Sequence, residues 1–245
     1  MEFYILFALG AAAGGFINGL AGFGTALFTL GFFLQIMPPI QAVAIVLIMS
    51  VVSGVQGLWT VRYAMMEKPK RLARFLVPAL FGIPLGIATL SILDPKILKL
   101  LIATLLIIYG GFFSLRKSLP KLERPTPIID AIVGFAAGIL GGAASLSGAL
   151  PTMWCALRPW TKSEARAVFQ PFNVTVLSLA AIMFALKGYY TGETLVLVAA
   201  SLPITILFAQ VGIFIFKRLE DDQFRRLLIA LMLISGLVLA VRELF

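Results

Sequence analysis

The chain has no histidine and only one cysteine, Cys155, among its 245 residues. It therefore lacks the commonest catalytic base and metal ligand, and a single thiol can form neither an internal disulfide nor a cysteine metal site. The segment Ser-Leu-Ser-Gly at residues 145–148 is faintly similar to the serine motif of membrane proteases, but no Ser–His pair can form. The sequence predicts no catalytic residue, no metal and no cofactor, so we expect a protein that is not an enzyme.

Charged residues are also scarce, at 13 % of the chain, whereas roughly a quarter is usual in soluble domains. Hydrophobic residues make up 60 %, and the mean hydropathy is +1.03. Apolar stretches of about 20 residues, each long enough to cross a bilayer core about 30 Å thick, recur along the chain. We predict an all-α polytopic membrane protein with about eight hydrophobic segments and no soluble domain. The segments are residues 3–36, 40–60, 72–93, 97–115, 128–157, 165–186, 194–216 and 224–241.

The chain contains an internal repeat. The glycine-rich residues 14–28 and 133–147 have similar sequences, with Gly15, Gly19 and Gly22 matching Gly134, Gly138 and Gly141. The last segments also align, KLLIATLLI with RLLIALMLI. We therefore predict two membrane repeats, residues 1–115 and 128–245, joined by a polar, proline-bearing cytoplasmic linker at residues 116–127.

The first segment of each repeat is too long for one simple crossing. At 1.5 Å per residue, residues 3–36 would form about 51 Å of helix and residues 128–157 about 45 Å, against a core of about 30 Å. The glycines in the middle predict two half-helices that form a hairpin with its turn inside the membrane. For the first segment a tilted full crossing stays open, because its flanks carry no Lys or Arg.

The 20 Lys and Arg residues support a hairpin in the second repeat. If that segment enters and leaves on one side, most of the basic residues lie on that side, which the positive-inside rule makes cytoplasmic. Two hairpins then give each repeat an odd number of crossings, so we expect the repeats to be inverted. Because the net charge of +9 lies in short loops, we expect no nucleic-acid partner. The favoured cytoplasmic loops are residues 62–74, 116–124, 158–166 and 217–226.

The two predicted turns are the candidate binding site. Each would begin a half-helix whose free N–H groups point into the membrane centre, where they suit an oxyanion. The outer glycines, at small-xxx-small spacing, are expected to serve helix packing instead. The candidate residues are Gly22, Phe23, Gly24 and Thr25 in the first turn, and Gly141, Gly142, Ser145 and Ser147 in the second.

A second group of candidates lies in residues 165–186. Arg166, Gln170 and Asn173 fall at i, i+4 and i+7 and so share a helix face. Arginine offers a planar fork of donors suited to a sulfonate, sulfite or carboxylate; a contact with lipid headgroups or an ion pair with Glu164 would be its structural role here. Ser50 is the one polar residue at the matching positions of the first repeat. Other polar residues inside segments are Asn18, Ser53, Gln56 and Gln210.

The duplicated glycine segments, the eight-segment layout and PTMWCALRPWTKSEARAVFQPFN at residues 151–173 resemble the TauE/SafE sulfite exporter family over essentially the whole chain. The resemblance implies a multi-pass carrier of the cell inner membrane that exports sulfite, sulfonates or other small organic anions by alternating access. It also implies that both glycine turns, Ser145, Ser147, Arg166, Gln170 and Asn173 belong to the site. The expected partners are a small anion and the lipid bilayer, with a homo-oligomer and a coupling ion left open. The alternative function is a passive anion channel that uses the same site.

Overall fold

The computed structural model describes residues 2–89, 95–115 and 122–244, which form ten α-helices and no strand. The end of the predicted segment 72–93 and the first half of the predicted linker lie outside the described residues. The helices are α1 Glu2–Ala21, α2 Thr25–Phe33, α3 Pro39–Glu67, α4 Pro69–Thr89, α5 Pro95–Ser114, α6 Pro127–Ala144, α7 Ala149–Ala156, α8 Lys162–Leu186, α9 Gly192–Arg218 and α10 Asp221–Leu244.

Among the described residues, five helices are long and apolar enough to cross a membrane. Large apolar side chains such as Trp59 and Leu186 are exposed on the outside of the bundle, as expected of a surface that faces lipid. The all-α membrane fold predicted from composition is confirmed. The five spans are Glu2–Ala21, Ile40–Glu67, Pro69–Ala88, Lys162–Leu186 and Gly192–Arg218.

The first predicted segment is a helical hairpin. Helix α1 ends at Ala21, and α2 runs back along it, so that the Thr29 hydroxyl donates to the Gly10 carbonyl at 3.0 Å. The rings of Phe7 and Phe33 stack at 5.1 Å near the open end. At 1.5 Å per residue α2 is about 14 Å long, which is about half of the bilayer core. The glycine break predicted in this segment is confirmed, and both arms return to the same end of the bundle. Of the two predicted half-helices only α2 is one, because α1 with its 20 residues is long enough to cross the core.

The first segment of the second repeat has the same form. Helix α6 is followed by a break at residues 145–148, and the short α7 then folds back, so that the Trp154 Nε1–H donates to the Asp130 carboxylate at 2.7 Å. Arg158, just after α7, also contacts the Asp130 carboxylate, at 3.1 Å. This buried ion pair ties the two open ends of the second hairpin together. The break predicted in this segment is confirmed as well.

Glycines bring the helices of the two repeats into close contact. A Cβ placed at Gly19 of α1 would lie 2.8 Å from the Cα of Ala209 on α9, and one at Gly138 of α6 would lie 2.8 Å from the Cα of Ala79 on α4. Helix α1 of the first repeat thus packs on α9 of the second, and α6 of the second on α4 of the first. Helices α3 and α8 pack on each other, as do α5 and α10. The packing role predicted for the outer glycines is confirmed.

Candidate functional site

A small cavity lies between the two hairpin breaks. We call residues 22–24 turn 1 and residues 145–148 turn 2. The cavity has room for about one water molecule. Residues of both halves of the chain line the cavity. Its lining consists of Phe23, Gly24, Thr25, Ala26, Leu27, Ser50, Ser145, Leu146, Gly148, Ala149, Asn173 and Leu177.

Turn 1 directs the start of α2 at this cavity. Gly22 and Gly24 have φ values of 82° and 93°, a left-handed conformation that glycine adopts without strain. The N-cap of α2 is Gly24, and no side chain caps the helix. Among the described residues, the backbone N–H groups of residues 25–27 have no hydrogen-bond acceptor. The first turn of α2 therefore presents free donors and the positive end of a helix dipole.

Turn 2 directs the start of α7 at the same cavity from the other repeat. Ser145 is left-handed at φ 56°, and its N–H donates to the Gly141 carbonyl at 3.1 Å, while the Leu146 N–H donates to the Leu140 carbonyl at 3.2 Å. The bond of the Ser145 N–H is that of an αL motif, and together the two bonds cap the end of α6. Helix α7 then begins after Gly148 without a side-chain cap. Two uncapped helix N-termini thus face one cavity.

Polar side chains add hydrogen-bonding groups to the lining. The Ser50 hydroxyl is buried and has no partner among the residues described. The Ser147 hydroxyl donates to Asn173 Oδ1 at 2.5 Å, and the Asn173 amide N–H groups have no acceptor within the described part of the chain. Asn18 Nδ2 donates to Thr25 Oγ1 at 2.7 Å and so fixes the Thr25 side chain at the cavity. The Asn173 amide and the Ser50 hydroxyl can both donate to an oxyanion, whereas Asn18 Oδ1, behind Thr25, is a buried acceptor without a partner among the described residues.

One known protein family matches nearly the whole chain. The model of the family described as Sulfite exporter TauE/SafE matches residues 6–239. The chain belongs to the TauE/SafE sulfite exporter family. Comparison with curated proteins and with solved structures gives no match. Membership confirms the resemblance found in the sequence and makes this TauE/SafE chain a member of a membrane-transporter family.

Arg166 does not line the cavity of this TauE/SafE protein. Its side chain is fully buried, so it does not reach a lipid headgroup, and its guanidinium donates to the carbonyls of Gly19 at 2.8 Å and Leu20 at 3.4 Å, at the end of α1. The neighbouring Glu164 pairs instead with Lys68, at 3.0 Å, and with Arg71. Arg166 therefore lies beside the end of α1 and outside the cavity lining.

Gln170 connects Arg166 to α3 and also lies away from the cavity lining. Its Oε1 accepts from the Arg166 Nε–H at 2.8 Å, and its Nε2 donates to the Gly54 carbonyl at 3.0 Å. Of the three residues predicted to share a face of α8, only Asn173 reaches the cavity. The other two side chains contact backbone carbonyls outside the cavity, Arg166 at the end of α1 and Gln170 on α3.

Gly141 and Gly142 lie inside α6 and not in turn 2. A Cβ at Gly142 would lie 3.2 Å from the backbone N of Ile87, and one at Gly141 would lie 2.9 Å from the Cβ of Ser147. Both glycines therefore permit close packing around the turn. Gly22 occupies turn 1 but contacts Gln170 and Phe169 and does not line the cavity.

Sequence reasoning assigns no site role to Asn18, Gly148 or Leu177. In the sequence Asn18 is only a polar residue inside a segment, yet its amide holds Thr25 and also donates to the Ser50 carbonyl at 3.3 Å. The spacing of Asn18 and Thr25, seven residues apart across a glycine turn, is the signal that could have indicated this bond. Gly148 and Leu177 carry no such signal, since a cavity lining depends on packing between helices distant in sequence.

Proposed function

We propose that this protein exports small sulfur-containing or organic oxyanions, such as sulfite or sulfonates, across the cell inner membrane. The cavity between turn 1 and turn 2 is the proposed binding site, with Gly24, Thr25, Ser50, Ser145 and Asn173 around the anion. The observation that carries the proposal is the meeting of two uncapped helix N-termini at one cavity that also contains the unpartnered Ser50 hydroxyl. Phe23, from the same lining, provides an apolar wall.

Electrostatics favour an anion over a cation or a neutral solute at this position. Each helix N-terminus carries about half a positive charge and stabilises an anion by about 0.3–1 kcal/mol, and by up to about 2 kcal/mol when partly buried. The low dielectric of a membrane interior strengthens both contributions. The donor hydroxyls and the Asn173 amide supply hydrogen bonds that a desolvated oxyanion requires.

The size of the cavity favours a carrier over an open channel. A space for about one water molecule does not admit a sulfonate, so the walls have to move apart before the anion enters. We propose that the hairpins move relative to α3 and α8, which exposes the site to one side of the membrane at a time. With the cell interior negative, export of a monoanion is electrically downhill by about 2.3 kcal/mol per 100 mV, so it requires no coupled ion.

Ligand-induced thermal stabilisation of the purified protein tests the function. We expect sulfite, sulfoacetate or another sulfonate to raise the melting temperature, and Na⁺ alone to leave it unchanged. Ser50→Ala should melt like the wild type without ligand, because the hydroxyl it removes has no partner, yet it should bind the anion about tenfold more weakly through the loss of one charge-assisted hydrogen bond. A panel without any responding anion would contradict the proposal. Anion currents in liposomes far above the turnover of a carrier would show that the protein is a channel and not a carrier.

We also propose that the repeats are inverted, with the main basic loops in the cytoplasm. Each repeat has a hairpin whose arms return to one end, followed by three further helices. The contact of α1 with α9 corresponds to the contact of α6 with α4, as expected if a two-fold axis relates the repeats. Single cysteines at Lys68 and Glu220, in a background without the buried Cys155, should react with a membrane-impermeant thiol reagent only in opened cells. A third position, Lys121, lies outside the described residues. Labelling of either described position in intact cells would contradict this orientation.

A further inference from the structure

The buried guanidinium of Arg166 lies at the point where α1 ends and turn 1 begins. Its Nη2 donates to the carbonyls of Gly19 at 2.8 Å and Asn18 at 3.4 Å, and its Nη1 donates to the Leu20 carbonyl at 3.4 Å. It also lies 4.2 Å from the ring centroid of Phe216 on α9. No carboxylate contacts it among the residues that the structure describes. Its charge is therefore matched by the end of a helix and not by an acid.

Turn 1 has an electrostatic difficulty that this contact resolves. Helix α1 ends at Ala21 and α2 begins at Thr25, so the negative end of one helix dipole lies a few residues from the positive end of the next. The two partial charges would largely cancel at the cavity. The carbonyls of α1 would also repel an anion bound at the start of α2. A charged guanidinium on those carbonyls removes the negative end and leaves the positive end of α2 uncompensated.

In turn 2 the end of α6 likewise lies a few residues from the start of α7, but backbone N–H groups and not a cation satisfy its carbonyls. There the last carbonyls of α6 accept from the backbone N–H groups of Ser145 and Leu146. In turn 1 only one such backbone bond forms, from the Gly22 N–H to the Asn18 carbonyl at 2.7 Å. The residue that matches Arg166 in the first repeat is Val43, which carries no charge. The arginine thus serves the turn in which fewer backbone N–H groups cap the end of the helix.

We propose that Arg166 sets the charge preference of the site from outside it. It cancels the negative end of α1 and thereby makes turn 1 selective for anions, without contact with the transported ion. This inference rests on the proposed anion site. It predicts that the contribution of Arg166 grows with ligand charge, because a Coulomb energy is proportional to the product of the charges. The same charge disfavours a cation at turn 1.

The test compares a singly and a doubly charged anion, methanesulfonate and sulfite, at alkaline pH where sulfite is a dianion. In Arg166→Gln we expect affinity to fall about tenfold for methanesulfonate and roughly a hundredfold for sulfite. Arg166→Lys keeps the charge and should retain most of the preference for the dianion, even if it melts at a lower temperature. Gln170→Leu, which disturbs the same hydrogen-bond network but leaves the charge, should lower both affinities by the same factor.

The outcomes separate this inference from the proposed function. Wild-type protein that binds neither anion would overturn the site itself, and with it the role of Arg166. If the wild type binds both anions and Arg166→Gln weakens them by equal factors, or not at all, the site stands and Arg166 is only a structural support. If Arg166→Gln does not fold, a loss of the dianion preference in Arg166→Lys would overturn the inference, and its retention would support it.

Discussion

Replacing Asn173 by aspartate is expected to abolish anion binding while the protein stays folded. The change preserves side-chain size and keeps an acceptor for the Ser147 hydroxyl, which in the wild type donates to Asn173 Oδ1 at 2.5 Å. It replaces the free amide donors at the cavity by a negative charge. Two unit charges about 4 Å apart repel by about 4 kcal/mol at an effective dielectric constant near 20, so affinity should fall roughly a thousandfold. The measurements are ligand-induced stabilisation and uptake into liposomes.

Gln223→Glu is the matched control for this variant. It makes the same amide-to-carboxylate change at an exposed position of α10, where Gln223 Oε1 accepts from the Glu220 N–H at 2.9 Å and a carboxylate can do the same. We expect wild-type anion affinity in the control. Asn173→Asp should melt within about 4 °C of the wild type without ligand, because the new carboxylate lies where the two helix N-termini stabilise an anion. An aspartate variant that binds sulfite normally would show that the anion lies elsewhere.

Alanine at Gly19 or Gly138 is expected to destabilise the protein strongly. Alanine is about 1 kcal/mol better than glycine in a helix interior, so propensity alone predicts stabilisation. At both positions, however, the new Cβ would lie 2.8 Å from a backbone Cα of the facing helix, which cannot move aside as a side chain can. Overpacking of this kind costs about 3 kcal/mol, and we expect the melting temperature to fall by about 6–12 °C.

Gly111→Ala provides the comparison for these two variants. Gly111 also lies in an apolar helix, α5, but a Cβ there has no atom within 4 Å. Its melting temperature should be unchanged or slightly raised, so the sign of the effect separates packing glycines from the rest. Equal melting temperatures for all three variants would mean that α1–α9 and α4–α6 are not in the close contact described.

The candidate site was predictable to the extent that it depends on local sequence. Glycine favours a break in an apolar helix whatever residues surround it. The duplicated glycine pattern therefore indicated both hairpins. Ser50 and Asn173 occupy matching positions in the two repeats, and the structure places both on one cavity. Thr25 and Ser145, predicted from their position after the glycines, lie on the same cavity.

The position of turn 2 was not predictable from its glycines. A helix can contain Gly141 and Gly142 at a cost of about 1 kcal/mol each relative to alanine. Both positions need glycine because Val176 of α8 lies close to Gly141 and α4 lies close to Gly142. The break therefore falls at Ser145, where two backbone bonds cap α6. The direction of Arg166 was likewise beyond sequence reasoning, since its acceptors on α1 belong to the other repeat.

By itself the sequence determined that the chain is an all-helical membrane protein, and its repeated glycine-rich segments indicated a break in each hairpin, because hydrophobicity, length and helix breaking are local properties. Only the tertiary structure decided which donors share the cavity and which cation lies beside it. Those outcomes depend on how helices from different repeats pack, and a burial or a hydrogen bond between distant residues has no signature in either segment alone. The arrangement of donors around the cavity therefore depends on how the two turns are assembled, whereas the breaks themselves depend on local sequence.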